Sequence, residues 1–135
     1  MGDVSVEYEH RARLEEAELQ GLFEVAWGAR KCDFGRVLAR SFTWVTARIR
    51  SQLVGFVNVA WDGGAHFFLL DTTVHPDWQH QGIGVRLVQE AIADCRGHGE
   101  WLHVDSDETL MASFYRRCGF EPVPAGAINV GRVNG

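Results

Sequence analysis

The chain has 135 residues, 46 % of them hydrophobic and 23 % charged, with a net charge of −5 from 13 basic and 18 acidic residues. That length fits one domain spanning 1–135, and the ordinary balance of apolar and charged residues excludes disordered, collagen-like and low-complexity classes. Scattered Lys and Arg offer no positive stripe for nucleic acid. The longest nearly apolar stretch, 53–61, falls far short of the roughly 18 to 20 residues that span a bilayer, and the N-terminus lacks a leader's apolar core. A cytoplasmic protein with neither nucleic acid nor membrane as partner is the expectation.

Alternation of Val4, Val6 and Tyr8 predicts a short first strand, and Leu14, Leu19, Leu22, Phe23 and Ala26 predict a helix stopped by Gly28. A polar loop covers 29–35, and a second short helix is expected over 37–42. The pattern then turns to strands, at 43–49, 53–61 and 65–74. The last two are joined by Asp62-Gly63-Gly64, whose glycines allow the positive φ of a hairpin turn. After Pro76, the positions Ile83, Leu87, Val88, Ala91, Ile92 and Cys95 recur at spacings of three and four, which predicts an amphipathic helix ended by Gly97 and Gly99.

A strand at 101–105 closes a strand–helix–strand crossover, so its two strands should lie parallel. Asp105 and Glu108 have the spacing of a capping box for a helix carrying Leu110, Met111, Phe114, Tyr115 and Cys118 and closed by Gly119. Two last short strands are expected at 120–123 and 127–130. The fold class is α/β, a mixed and mostly antiparallel sheet flanked by helices. Cys32, Cys95 and Cys118 are odd in number and form no C-x-x-C pair, which suits reduced thiols better than a disulfide framework or a zinc site.

Chemistry is expected between the strand at 65–74 and the helix at 83–95. Gly82 and Gly84 open that helix, where unpaired N–H groups and the helix dipole favour a phosphate. A lone G-x-G is weak, since Gly97-His98-Gly99 also matches; an ordinary tight turn is the alternative. A Rossmann fingerprint would need glycine where Leu87 stands, and a Walker loop needs a lysine where the chain's only one is Lys31. His66, His75 and His80 have the spacing of no common metal site, and no metal is expected.

The stretch VHPDWQHQGIGVRLVQEAI resembles motif A of the GNAT acetyltransferase superfamily, with Gln79, Gly82 and Gly84 at its diagnostic positions, and SFYRRCGFEPV resembles its motif B helix. The two motifs stand in the family's order, about 30 residues apart, which is more specific than either alone. The resemblance implies an acetyl-CoA co-substrate. Main-chain N–H groups across Gln79, His80, Gln81, Gly82, Ile83, Gly84 and Val85 would hold its pyrophosphate, and its pantetheine arm would lie between splayed strands near Thr73 and Val74. It also implies Tyr115 as general acid at the departing sulfur and, as in many small relatives, a homodimer. Glu108 and Met111 stand where the family frequently has Asn and a small Ala.

The reaction sets the remaining needs. An alkylamine of pKa about 10.4 is unprotonated only about once in 2,500 molecules at pH 7, equivalent to about 4.6 kcal/mol, so a base or water chain must take its proton. Asp71 is the first candidate, a carboxylate inside an otherwise apolar strand on the same face as Thr73; the alternative is a strand aspartate bonded to neighbouring backbone or Arg. His103 and Asp105 are the reserves. Cys95 and Cys118 sit at apolar positions and are not expected nucleophiles, so the amine should attack directly in a ternary complex. The acceptor, a small-molecule or peptide amine, should approach over loop 29–35 and the turn at 124–127. Two other functions fit the same sequence: a non-catalytic acyl-CoA-binding or sensing domain, and an interaction domain without ligand.

Overall fold

Alternating β-branched and aromatic residues from Thr43 onward drive the sheet. In a computed structural model of the chain, which describes residues 4–131, they form its centre. Strand β1 (Glu7–His10) is followed by helices α1 (Glu16–Trp27) and α2 (Phe34–Ala39), then by β2 (Thr43–Ile49), β3 (Gln52–Trp61) and β4 (His66–Val74). A single 3₁₀ turn (Pro76–Trp78) leads into α3 (Ile83–Cys95) and β5 (Trp101–Val104). The sheet order is β1-β2-β3-β4-β5; only the β4/β5 pair is parallel, as the crossover requires. The backbone divides into two units, one ending at Val104 and the other beginning at Asp105.

Neighbouring residues of β3 show why the first unit has helices on both faces. Phe56 joins Leu19 and Leu22 of α1 and Phe34 of α2 in one core cluster. Gly55, facing the opposite way, lies so close to α3 that a Cβ there would meet Leu87 Cδ1 at 2.8 Å and Ile83 Cγ2 at 3.3 Å. Arg48 of β2 fastens α1 by pairing with both carboxylate oxygens of Glu18. His10 fastens the edge strand to α3, with Nδ1 2.7 Å from Asp94 and Nε2 3.2 Å from Glu90. Thr43 donates to the same Asp94 oxygen at 2.7 Å.

Several boundaries differ from expectation. β1 begins at Glu7 instead of Val4, because its partner in β2 sets the register from Glu7↔Arg48 to His10↔Val45. α2 starts earlier than 37, where the Asp33 side chain accepts from Arg36 N at 3.1 Å and Phe34 enters the core. In the second unit the cap is Asp107, which accepts from Leu110 N at 2.7 Å, so the Asp105/Glu108 capping box is not formed. The helix α4 (Glu108–Leu110) widens into a π-turn over Met111–Tyr115, with Arg116 N bonded to Met111 O. Among the described residues no strand forms at 120–123 or 127–130, where Val123, Ile128 and Val130 are exposed. No helix among the described residues is long and apolar enough to cross a membrane.

Candidate functional site

Residues 79–85 form the turn that opens α3. Gln79 is extended, His80 has φ +63° and Gly82 has φ +86°, a conformation that only glycine adopts without steric cost. The first intrahelical bond is from Arg86 N to Gly82 O at 3.1 Å. Among the described residues, no protein group accepts from the amides of Gln79, His80, Gln81, Gly82, Ile83, Gly84 or Val85. Seven donors thus lie at the positive end of a 13-residue helix. The Gln79 side chain reaches back and donates to Val74 O at 3.1 Å, tying this turn to the end of β4.

β4 outruns its parallel neighbour. Pairing with β5 covers His66↔Trp101 to Leu69↔Val104, so from Leu70 to Val74 no strand among the described residues pairs on the β5 side. His75 N donates to Val54 O at 2.7 Å, which leaves Val74 at a non-bonded position opposite Gly55, its own N–H and C=O directed to the open edge. The β3/β4 register slips between Phe56↔Thr73 and Asn58↔Leu70, and Asp71 lies in that slip with φ +59°. Such strained positions concentrate at functional sites.

Three contacts hold the slip. Thr73 is buried, and its hydroxyl donates to Asp71 O at 3.0 Å while accepting from Trp27 Nε1 at 3.0 Å. Asn58, buried in β3, hydrogen-bonds the Asp71 carboxylate through its side chain, while its Oδ1 has no partner among the described residues. Loss of hydration is the largest influence on Asp71 and raises its pKa; the Asn58 hydrogen bond and then the Arg30 charge pull it back down. The residue is also exposed on one side, and water there limits the rise. Sequence reasoning missed Asn58 and Trp27 as participants; an amide in the middle of an apolar strand was the readable signal for the first.

The other candidates fall elsewhere. Tyr115 lies in the second unit at the end of the π-turn, buried, with its ring edge-on to Phe114 at 4.8 Å and Phe120 at 5.7 Å. Asp105 lies beyond the end of β5, so it does not share a strand face with His103 as expected. His103 Nε2 is 2.8 Å from His66 Nδ1, and its ring stacks on Phe68. Burial pushes the Cys95 thiol up to about 11, with the Asp94 charge adding to it, and burial also raises Cys118. Thiolates at either position are disfavoured at neutral pH.

Residues 7–120 match the family model described as acetyltransferase (GNAT) family, and the chain belongs to that family. It is similar to the N-alpha-acetyltransferase RimI of Mycobacterium tuberculosis, 33 % identical over 94 residues that cover 67 % of this chain and 60 % of that protein. The chain spans between 44 % and 60 % of the length of the curated relatives it matches. Its fold is that of a GNAT family acetyltransferase from Streptococcus pneumoniae, with a TM-score of 0.80 at 23 % identity over 93 % of this chain and 99 % of the other. It also resembles a GNAT family acetyltransferase from Brucella melitensis solved in complex with acetyl-CoA, with a TM-score of 0.70 at 23 % identity over 89 % and 85 % of the two chains.

Proposed function

We propose that this protein is an acetyl-CoA-dependent N-acetyltransferase that moves an acetyl group to a primary amine of a small molecule or peptide by direct attack in a ternary complex. The observation that carries the reading is the run of amides from Gln79 to Val85 with no protein acceptor among the described residues at the N-terminus of α3. Unpaired donors backed by a helix dipole suit a diphosphate. The unpaired edge of β4 beside them suits the amide-bearing pantetheine arm, with the Val74 N–H directed to it and the Thr73 main chain turned to β3. Family membership and the acetyl-CoA bound to a protein of the same fold support the same co-substrate.

In this reading Asp71, directly or through water, takes a proton from the acceptor ammonium. The free amine nitrogen then attacks the thioester carbonyl. A main-chain N–H of the β4 edge near Val74 stabilises the oxyanion as the C–N bond forms. The C–S bond breaks as the carbonyl reforms, the Tyr115 hydroxyl supplies the proton that the departing thiolate takes up, and the second proton shed by the attacking nitrogen passes through water to restore the tyrosine hydroxyl. The high pKa of Cys95 favours this direct route over an acyl-enzyme on that thiol.

The first test is thermal unfolding with CoA. At 100 times its dissociation constant a ligand adds about 2.7 kcal/mol, a shift of several degrees. No shift at millimolar CoA overturns the site. The second is CoA release with a panel of amines across pH 6 to 9: Tyr115→Phe should slow it most at low and neutral pH, where the hydroxyl holds its proton and the thiolate most needs one, and an unchanged profile removes Tyr115 as general acid. CoA binding without release by any amine would make the chain an acyl-CoA binder instead.

A further inference from the structure

Resting on the transfer reading above, we infer that Trp27 is the aromatic wall of the acceptor subsite and that, with Asp71 and Asn58, it selects a protonated amine. Trp27 ends α1 and is 67 % exposed, yet its ring is not free to turn, because Nε1 donates to the buried Thr73 hydroxyl at 3.0 Å. That hydroxyl in turn donates to Asp71 O at 3.0 Å. Two hydrogen bonds therefore join an exposed indole to the backbone of the strained β4 residue that carries the carboxylate. Fixing a large side chain without burying it gives up rotamer entropy for little hydrophobic return, which points to a use for the exposed ring face.

The groups gathered at this point share one preference. The Asp71 carboxylate is partly desolvated while exposed on one side, and has no ion pair within 4.0 Å among the described residues; Arg30 acts on it only as a more distant charge. Asn58 is 1 % exposed and keeps an acceptor, Oδ1, without a partner among the described residues. An indole face attracts cations through its quadrupole. A carboxylate and an indole face each favour an ammonium over an anion or a neutral alcohol, and the buried Asn58 side chain acts through the carboxylate it holds. The substrate class is a cationic amine whose flanking carbon chain can lie on the Trp27 ring.

The test measures KM for amine and for acetyl-CoA by CoA release, using spermidine and hexapeptides with a free amino terminus, in the wild type, Trp27→Leu and Trp27→Phe. Trp27→Leu should raise KM for the amine about tenfold and leave KM for acetyl-CoA within about twofold, while Trp27→Phe, which keeps a ring face, should raise the amine KM about threefold. Melting temperatures of both variants should stay near wild type, since the ring is exposed. An amine KM unchanged in Trp27→Leu overturns the inference. So does an equal rise for both substrates, or a Phe variant as weak as the Leu variant, because either assigns Trp27 only the anchoring of β4. If the wild type releases no CoA with any of these amines although CoA raises its melting temperature, the transfer reading itself fails, and this inference with it.

Discussion

In the proposed mechanism Asp71 sets stability against chemistry. Its raised pKa means that the folded protein binds a proton there more tightly than the unfolded chain does, so stability falls as pH climbs through the folded-state value. Asp71→Asn removes that penalty. At pH 7 the variant should melt at or above the wild-type temperature while kcat/KM drops about 100-fold or more, and the acid limb of the pH–rate profile, displaced above the ordinary aspartate range, should disappear. A variant that melts lower and keeps full activity would return Asp71 to a purely structural role. Gly82 makes the complementary case in the turn that opens α3, the proposed phosphate site. With φ +86° at this position, Gly82→Ala should cost about 1–2 kcal/mol in unfolding experiments and reduce the thermal shift given by CoA, since the amides beside it lose their aim.

Between elements, the join of β1 to α3 depends on the charge of His10. Both ring nitrogens face carboxylates, and only the imidazolium can donate to both; the hydrogen bond to Asp94 is the largest cause of its raised pKa, with Glu90 adding to it and partial burial opposing. The stabilisation is therefore complete below the unfolded value of about 6.5 and is lost as pH rises through the higher folded-state value. His10→Gln should lower the melting temperature clearly at pH 6 and hardly at pH 9. A gap that widens with pH would show the opposite charge logic. The contact of α3 with β3 is steric instead: Gly55→Ala forces a Cβ against Leu87 and Ala47, costs about 1–3 kcal/mol, and should weaken CoA binding because the helix that carries the phosphate turn must shift.

For the whole molecule, 18 acidic against 13 basic residues give a net negative charge, which in the proposed function favours the approach of a cationic amine. Raising salt from about 0.1 M to about 1 M shortens the Debye length from about 10 to about 3 Å, so kcat/KM for a cationic amine should fall over that range; no change would confine the attraction to the site itself.

Much of this architecture was legible in the sequence, because periodicity and glycine position act locally. The spacing from Ile83 to Cys95 marked the inward stripe of α3, Gly28 marked the end of α1, and the Asp62-Gly63-Gly64 turn joined β3 to β4. What was not legible depends on partners distant in sequence. The start of β1 is set by its pairing with β2, the caps by which of several aspartates finds an amide, and the Trp27–Thr73–Asp71 chain by a contact across 46 residues. The register slip in β4 also limits how this chain can diverge. Because successive strand residues face opposite sides, deleting one residue between Phe67 and Val74 would exchange the faces of all that follow, whereas the loop between α1 and α2 can lengthen or shorten without that penalty. Descendants of this sequence should therefore vary by insertion and deletion in the loop, and by substitution alone in the strand.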